Sequence, residues 1–361
     1  MKRYLFPLFL VVAVLVTFLS CSNKAQRSRK PVSTINLNPT GKNYILGKSL
    51  LVEVNTKLRD GELKQVQLYL NGKLLKSGNE QNFSYQISSL ENLGANTLKV
   101  YAEKADGVSN SRTHNFLVVS DVVPEKMGYQ IVKEYPHSTE HFTQGLELHN
   151  GFLYEGTGEN GKSAIYRKNL STGNVILHKP LDKQYFGEGI TILNDKIYQL
   201  TYKAQKGFVY RLSDFAVIDS FRYDSKEGWG LTNDGKSLIM SDGTGTLTWL
   251  DPQTYQPQKT VTVADHEKVL QYLNELEYVD GSIYANIWTT NNIVKIDAQT
   301  GKVLAVIDLG GILSVMFKNG SQQIDVLNGI AYNAQTSRFL VTGKLWPKMF
   351  EVEFIPSKEG R

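Results

Sequence analysis

Along most of this chain, apolar residues recur at every second position in short runs, and Gly, Asn, Asp and Pro separate the runs. That period places successive side chains on opposite faces of a strand, so the pattern predicts an all-β protein with one face of each strand buried. The exception is the N-terminus, where Leu5 to Phe18 is almost wholly apolar.

Within residues 31–120, Val52 and Val54 alternate with polar neighbours. Val66, Leu68 and Leu70 then run into Asn71-Gly72 and on to Leu74-Leu75, a signal for a tight hairpin. Phe83, Tyr85 and Ile87, then Leu98, Val100 and Ala102, then Phe116 and Val118, supply further strands. This density of strands predicts a small β-sandwich that resembles the immunoglobulin-like modules bacterial surface proteins carry near their anchors. It contains no evident chemistry, which suits a spacer or docking role.

From residue 124 onward the chain repeats itself. Gln144-Gly145-Leu146, Glu188-Gly189-Ile190, Trp229-Gly230-Leu231, Asn274-Glu275-Leu276 and Asn328-Gly329-Ile330 each open a strand, and each is followed by a turn and an aromatic-rich second strand. Positions 145, 189, 230, 275 and 329 lie 44, 41, 45 and 54 residues apart. Four strands in forty-odd residues is the size of a propeller blade. The fifth repeat ends early, and Tyr129-Gln130-Ile131-Val132 precedes the first, so that strand is expected to complete the last blade. Residues 124–361 therefore read as a closed five-bladed β-propeller.

Length and composition fit this division. The 361 residues suffice for two or three domains, and the composition is that of an ordinary globular chain. Residues 1–20 have the form of a lipoprotein signal peptide, with Lys2 and Arg3 before the apolar run and Leu19-Ser20 before Cys21, the only cysteine. Cys21 is then the expected lipidation site and residues 21–30 a tether. The chain is thus expected to be an exported bacterial lipoprotein anchored to the cell envelope, at the outer membrane, in the periplasm or on the cell surface. A formal charge of +5 falls to +3 once Lys2 and Arg3 are removed, too mild a balance to argue for nucleic acid.

In a propeller, equivalent loops of all blades meet on one face. The blade-opening segments bring Phe142, Gln144, Phe186, Glu188, Trp229, Asn274 and Asn328, and the strand ends add Trp288 and Lys344. One pocket would hold a carboxylate, amides, a cation and several large aromatics. Phe142, Phe186 and Trp249 suit blade packing equally well, and Gln144, Asn274 and Asn328 suit bonds to loop backbone. His141 is a neighbour and is not expected to be the base. No cluster has zinc-ligand spacing, and neither a nucleophile elbow nor a phosphate loop is present.

His-Phe-Thr-Gln-Gly at 141–145, Phe-Gly-Glu-Gly-Ile-Thr at 186–191, Glu-Gly-Trp-Gly-Leu-Thr at 227–232, Leu-Asn-Glu-Leu-Glu-Tyr at 273–278, Ala-Asn-Ile-Trp at 285–288, Leu-Asn-Gly-Ile-Ala-Tyr at 327–332 and Thr-Gly-Lys-Leu-Trp-Pro-Lys at 342–348 resemble the plant-type glutaminyl-peptide cyclotransferases. These are five-bladed propellers also found in bacteria. The resemblance implies conversion of N-terminal glutamine to pyroglutamate with release of ammonia, on a peptide or protein substrate. Carried over by motif, Glu188 shuttles the proton, and Lys344 and Asn274 join it in catalysis. Phe142, Gln144, Phe186, Trp229, Trp249, Trp288 and Asn328 bind substrate, with the indole of Trp229 or Trp288 facing the developing oxyanion. No cofactor or metal is expected in catalysis; a structural calcium in the propeller channel is compatible with the resemblance. The protein is expected to be a monomer attached to membrane by its lipid alone. The competing class is a non-enzymatic surface propeller that binds peptide or glycan. A glycosidase is less suited, as Glu188 lacks a partner carboxylate other than Glu275.

Overall fold

The computed structural model describes residues 27–315 and 324–357. Its first part has eight strands: β1 (Val32–Asn38), β2 (Asn43–Ile45), β3 (Leu50–Lys57), β4 (Leu63–Leu70), β5 (Lys73–Gly78), β6 (Asn82–Ile87), β7 (Gly94–Lys104) and β8 (Ser109–Val119). They form two sheets, β1-β3-β6 and β2-β8-β7-β4-β5. Alternation accounts for the packing. Leu50, Val52 and Val54 from one sheet meet Val66, Leu68, Leu98, Val100 and Val118 from the other, and all are buried. The hairpin at Asn71-Gly72 forms as expected, both residues adopting positive φ.

After β9 (Glu125–Pro136), β10 (Thr143–His149), β11 (Phe152–Thr157), β12 (Ala164–Asn169) and β13 (Val175–Pro180) make the first blade. The second comprises β14 (Gly187–Leu193), β15 (Lys196–Thr201), β16 (Lys206–Arg211) and β17 (Val217–Arg222). The third comprises β18 (Leu231–Asn233), β19 (Leu238–Ser241), β20 (Thr246–Leu250) and β21 (Pro257–Thr262). The fourth comprises β22 (Leu273–Val279), β23 (Ser282–Ile287), β24 (Asn292–Asp297) and β25 (Val303–Asp308). The fifth holds β26 (Leu327–Asn333), β27 (Arg338–Gly343) and β28 (Lys348–Pro356), and β9 is its outer strand.

The ring closes as the sequence predicts. Strand β9 runs antiparallel to β28, with Tyr129 opposite Phe354 and Ile131 opposite Val352. Its first residues pair in parallel with β25, joining the fourth and fifth blades into one sheet of eight strands. Apolar clusters lie between neighbouring blades, for instance Tyr154 and Ile165 against Ile190, Ile192 and Ile197.

The repeated glycines are where inner strands meet. A Cβ on Gly189 would stand 2.4 Å from Leu231 N, and one on Gly230 would stand 2.0 Å from Asn274 O. No side chain fits between backbones that close. In the fourth blade the equivalent position is Glu275, which is fully buried and accepts N–H bonds from Leu146 (3.1 Å) and Ile330 (2.7 Å) across the ring.

Two sheets and a propeller touch directly. Ser120 N donates to Asp265 O at 2.8 Å, Asn43 Nδ2 donates to Glu267 O at 2.7 Å, and Lys302 pairs with Asp121 at 2.7 Å.

Candidate active site

Four of the five inner strands break register at the residue that carries site chemistry. Pairing jumps between Thr143 and Gly145, between Gly187 and Ile190, between Leu273 and Leu276, and between Leu327 and Ile330. The slipped residues are Gln144, Glu188-Gly189, Asn274-Glu275 and Asn328-Gly329. A bulge adds a residue without a partner and re-aims its side chain. Here it turns Gln144, Glu188 and Asn274 into one cavity on the face formed by the starts of the inner strands and the ends of the second strands.

That cavity has a volume near 430 Å³. Phe142, Phe186, Trp229, Trp288, Tyr202 and Tyr272 supply its walls, and Glu188, Glu227, Asn274, Gln144, Asp325 and Lys344 its polar groups. The rings support one another: Phe142 meets Phe186 edge-on with centroids 6.0 Å apart, and Trp229 meets Trp288 edge-on at 5.5 Å.

Glu188 is 4% exposed. Burial pushes its carboxyl well above the usual range; Lys344 works against this and Glu227 adds to it. Gln144 Nε2 donates to Glu188 Oε1 at 3.1 Å, while Gln144 Oε1 accepts from Asn328 Nδ2 at 3.1 Å. Because Asn328 Nδ2 also donates to Thr143 O at 3.0 Å, Asn328 fixes which way the Gln144 amide points. Asn328 itself stands behind the cavity wall; its expected contact with substrate is replaced by a hold on Gln144.

Lys344 is buried, and burial lowers its pKa against the pull of Glu188 and Asp325. Its ammonium lies over the Phe142 ring, 4.5 Å from the centroid. Among the described residues no ion pair within 4.0 Å joins Lys344 to Glu188, so the two act on each other through the low-dielectric cavity. Among the described residues Asn274 Oδ1 is buried with no hydrogen-bond partner, and Asn274 lines the cavity. Trp229 Nε1 donates to Glu227 Oε2 at 3.0 Å. Among the described residues the Trp288 indole N–H has no such bond.

Trp249 departs from expectation. It is buried between the third and fourth blades with Val263, Leu276 and Ile283, and its indole donates to Asp234 at 3.2 Å in the turn after β18, at the opposite end of the blade. Register explains this: Trp249 pairs with Ile239 near the start of β19, whereas the cavity lies beyond that strand's last residue, Ser241. Glu275 is turned into the ring and does not line the cavity. Cys21 and the signal segment lie outside the described residues.

Four lining residues were missed in the sequence: Tyr202, Glu227, Tyr272 and Asp325. The repeat could have found three. Tyr202 follows β15 as Trp288 follows β23 and Lys344 follows β27. Glu227 and Tyr272 stand two residues before Trp229 and Asn274, as Phe142 and Phe186 stand before Gln144 and Glu188.

A propeller whose inner-strand bulges gather a buried carboxylate, a buried lysine and partnerless amide groups inside an aromatic wall belongs to the class of enzymes that move protons away from bulk water. The family model described as glutamine cyclotransferase matches residues 102–354. Glutaminyl-peptide cyclotransferase of Arabidopsis thaliana is 40% identical over 225 residues, which cover 62% of this chain and 70% of that protein. The solved glutaminyl cyclase of Myxococcus xanthus superposes with a TM-score of 0.61 at 33% identity, over 65% of this chain and 100% of its own. The chain belongs to the glutamine cyclotransferase family.

Proposed function

We propose that this protein is a glutaminyl-peptide cyclotransferase in which Glu188 carries the proton between the two nitrogens. The observation that carries the assignment is Glu188 itself, a buried carboxylate with a raised pKa held by Gln144 in the same cavity as Lys344. The neutral α-amine of an N-terminal glutamine attacks its own side-chain amide carbon, forming the Nα–Cδ bond. Folding the substrate back makes the attack intramolecular, and the aromatic walls favour that curled shape. The ionised Glu188 takes a proton from the attacking nitrogen and returns it to the amide nitrogen, the C–N bond breaks, and ammonia leaves with pyroglutamate behind.

An α-amine has a reference pKa of about 8, and a carboxylate with a raised pKa is a stronger base matched to it. Lys344 stabilises the developing oxyanion, with the indole N–H of Trp288 as a further donor in the same cavity. The unpartnered Asn274 Oδ1 accepts a substrate N–H. Trp229 is committed to Glu227, so it walls the cavity and holds that second carboxylate.

The reaction as proposed needs no metal. A structural calcium would use other groups: burial raises the carboxyls of Glu147, Glu275 and Glu277, with Glu277 and Glu147 adding to the rise at Glu275 and Glu147 to that at Glu277, and their oxygens are the donors a hard cation takes. The cluster of His137, His141 and Glu155 does not suit a metal, as the Lys168 ammonium already stands among these groups. The sandwich we read as immunoglobulin-like. Its sheets β1-β3-β6 and β4-β7-β8 follow the order of the A-B-E and C-F-G strands of such modules. With Cys21 lipidated it would act as a spacer between envelope and propeller, the protein being a monomer.

Incubating the full-length protein with a Gln-initiated dipeptide amide and chelator decides the function. Ammonia and pyroglutamyl product are expected at an undiminished rate, and the thermal midpoint falls as chelator removes calcium. Absence of ammonia, with or without chelator, points instead to a binding propeller.

A further inference from the structure

Outside the cavity, the first blade buries a closed polar cluster. Glu155 on β11 is fully buried. Its Oε1 accepts from Thr143 Oγ1 at 2.8 Å and lies 2.9 Å from His137 Nε2. Its Oε2 accepts from Lys168 Nζ and lies 2.9 Å from His141 Nδ1. Lys168, buried on β12, is also 2.9 Å from that nitrogen. Burial pushes the Glu155 carboxyl up, but Lys168, His137 and His141 together outweigh it and hold it well below the usual carboxylate range. The reaction has no use for these groups, yet they border it.

The link is the turn that carries Lys344. His137 Nδ1 lies 2.6 Å from the carbonyl oxygen of Trp346. A carbonyl only accepts, so this nitrogen must bear the proton. The same turn is held by Leu345 N donating to His141 O at 2.8 Å, by His137 N donating to Pro347 O at 3.1 Å, and by the Trp346 indole donating to Asp325 O at 2.8 Å. Such pinning has a reason. Leu345 adopts a left-handed φ of 61°, which costs a non-glycine residue about 1 kcal/mol or more. Left to itself, that turn would relax and carry the Lys344 ammonium off Phe142.

We infer that His137 is a positioning residue for Lys344. Glu155 fixes the His137 ring so that Nδ1–H holds the Trp346 carbonyl, and this bond sets where the Lys344 ammonium stands in the cavity. Thr143 and Lys168 complete the seat by satisfying the remaining Glu155 oxygen positions. The inference rests on the cyclase assignment for its kinetic consequence and on the ring's own protonation for its structural one.

Two variants separate the bonds. In His137→Asn the side-chain amide nitrogen reaches the place of Nδ1 and keeps a donor for the Trp346 carbonyl. In His137→Gln it reaches the place of Nε2 and keeps only the contact with Glu155. On a Gln-initiated peptide, His137→Gln is expected to lose kcat about ten-fold or more with KM changed by less than about two-fold, as supporting residues of a site typically do. His137→Asn is expected to stay within about three-fold of wild-type kcat. Equal losses, the reverse order, a loss confined to KM, or no loss in His137→Gln overturns the inference, and so does a His137→Asn protein that does not fold. Nitrogen NMR of the histidine-labelled full-length wild type reads the ring with no variant needed. The His137 signal, assigned by its absence from His137→Asn, should show a protonated Nδ1; a ring protonated at Nε2 alone overturns the inference whatever the variants do. A wild type that releases no ammonia would defeat the cyclase assignment and leave the ring to decide this one.

Discussion

Glu188 and Lys344 each sit in an environment that disfavours their charge, and each is the other's main compensation. This coupling sets the pH dependence. On the proposed mechanism the acid limb of kcat/KM should follow Glu188, above its ordinary 4.5, together with the substrate amine, and the alkaline limb should follow Lys344, below its ordinary 10.5. Lys344→Ala should therefore abolish the alkaline limb and move the acid limb to higher pH, while lowering kcat more than it raises KM. Glu227→Gln should move the acid limb the other way, since Glu227 raises the Glu188 pKa. Rate-pH profiles of the two variants check both, and shifts of the same sign would contradict the coupling. At this scale the sequence was informative where a residue broke the repeat. Glu188 was visible because the other blades place Gln, Trp and Asn at its position. Trp249 was misplaced because strand alternation says which face a residue occupies and not which end of the blade it reaches.

The element that matters is the bulged inner strand. At Gly145 and Gly189 its geometry needs glycine next to the functional residue, because the neighbouring blade's backbone occupies the space a Cβ would take, 2.4 Å from Leu231 N in the case of Gly189, whereas the fourth blade accommodates Glu275 there. Gly189→Ala forces two blades apart and is expected to cost about 1–3 kcal/mol, the range for overpacking with backbone shift, read from the urea midpoint. A cost below about 0.5 kcal/mol would mean the ring yields at that point. The repeat and its glycines were legible in the sequence, since spacing near forty and a fixed hairpin form are local. The bulges were not, because a slipped register is decided by partners in another strand.

At the scale of the molecule, β9 locks the ring by pairing with both β28 and β25, and the channel it encloses carries acidic charge. Glu147 is pushed from 4.5 to about 7 by burial, against the bonds it accepts from Ile192 N and Thr191. An acid whose folded pKa is raised contributes stability that is complete below its unfolded value and is lost as pH rises through the folded one. The full-length protein should therefore lose stability to urea between about pH 5 and about pH 7.5, and Glu147→Gln should flatten that slope. Added calcium should restore the wild type and do less for Glu277→Gln. An unchanged slope in Glu147→Gln would remove Glu147 from the account. Closure by a strand from ahead of the first repeat was legible, as the last repeat lacked an outer strand. The missed cavity acid Asp325 was not, because it lies outside the repeated segments.

The central claim is that Glu188 moves the proton, and the measurement is ammonia release by Glu188→Gln from a Gln-initiated dipeptide amide. Glutamine keeps the shape and still accepts the Gln144 hydrogen bond, while removing a buried charge whose cost grows as pH rises above 4.5. The variant is expected to unfold no earlier than wild type at neutral pH and to retain less than about one hundredth of its kcat, the low end of what a general acid–base group contributes. A folded Glu188→Gln protein that keeps most of its turnover would contradict the account.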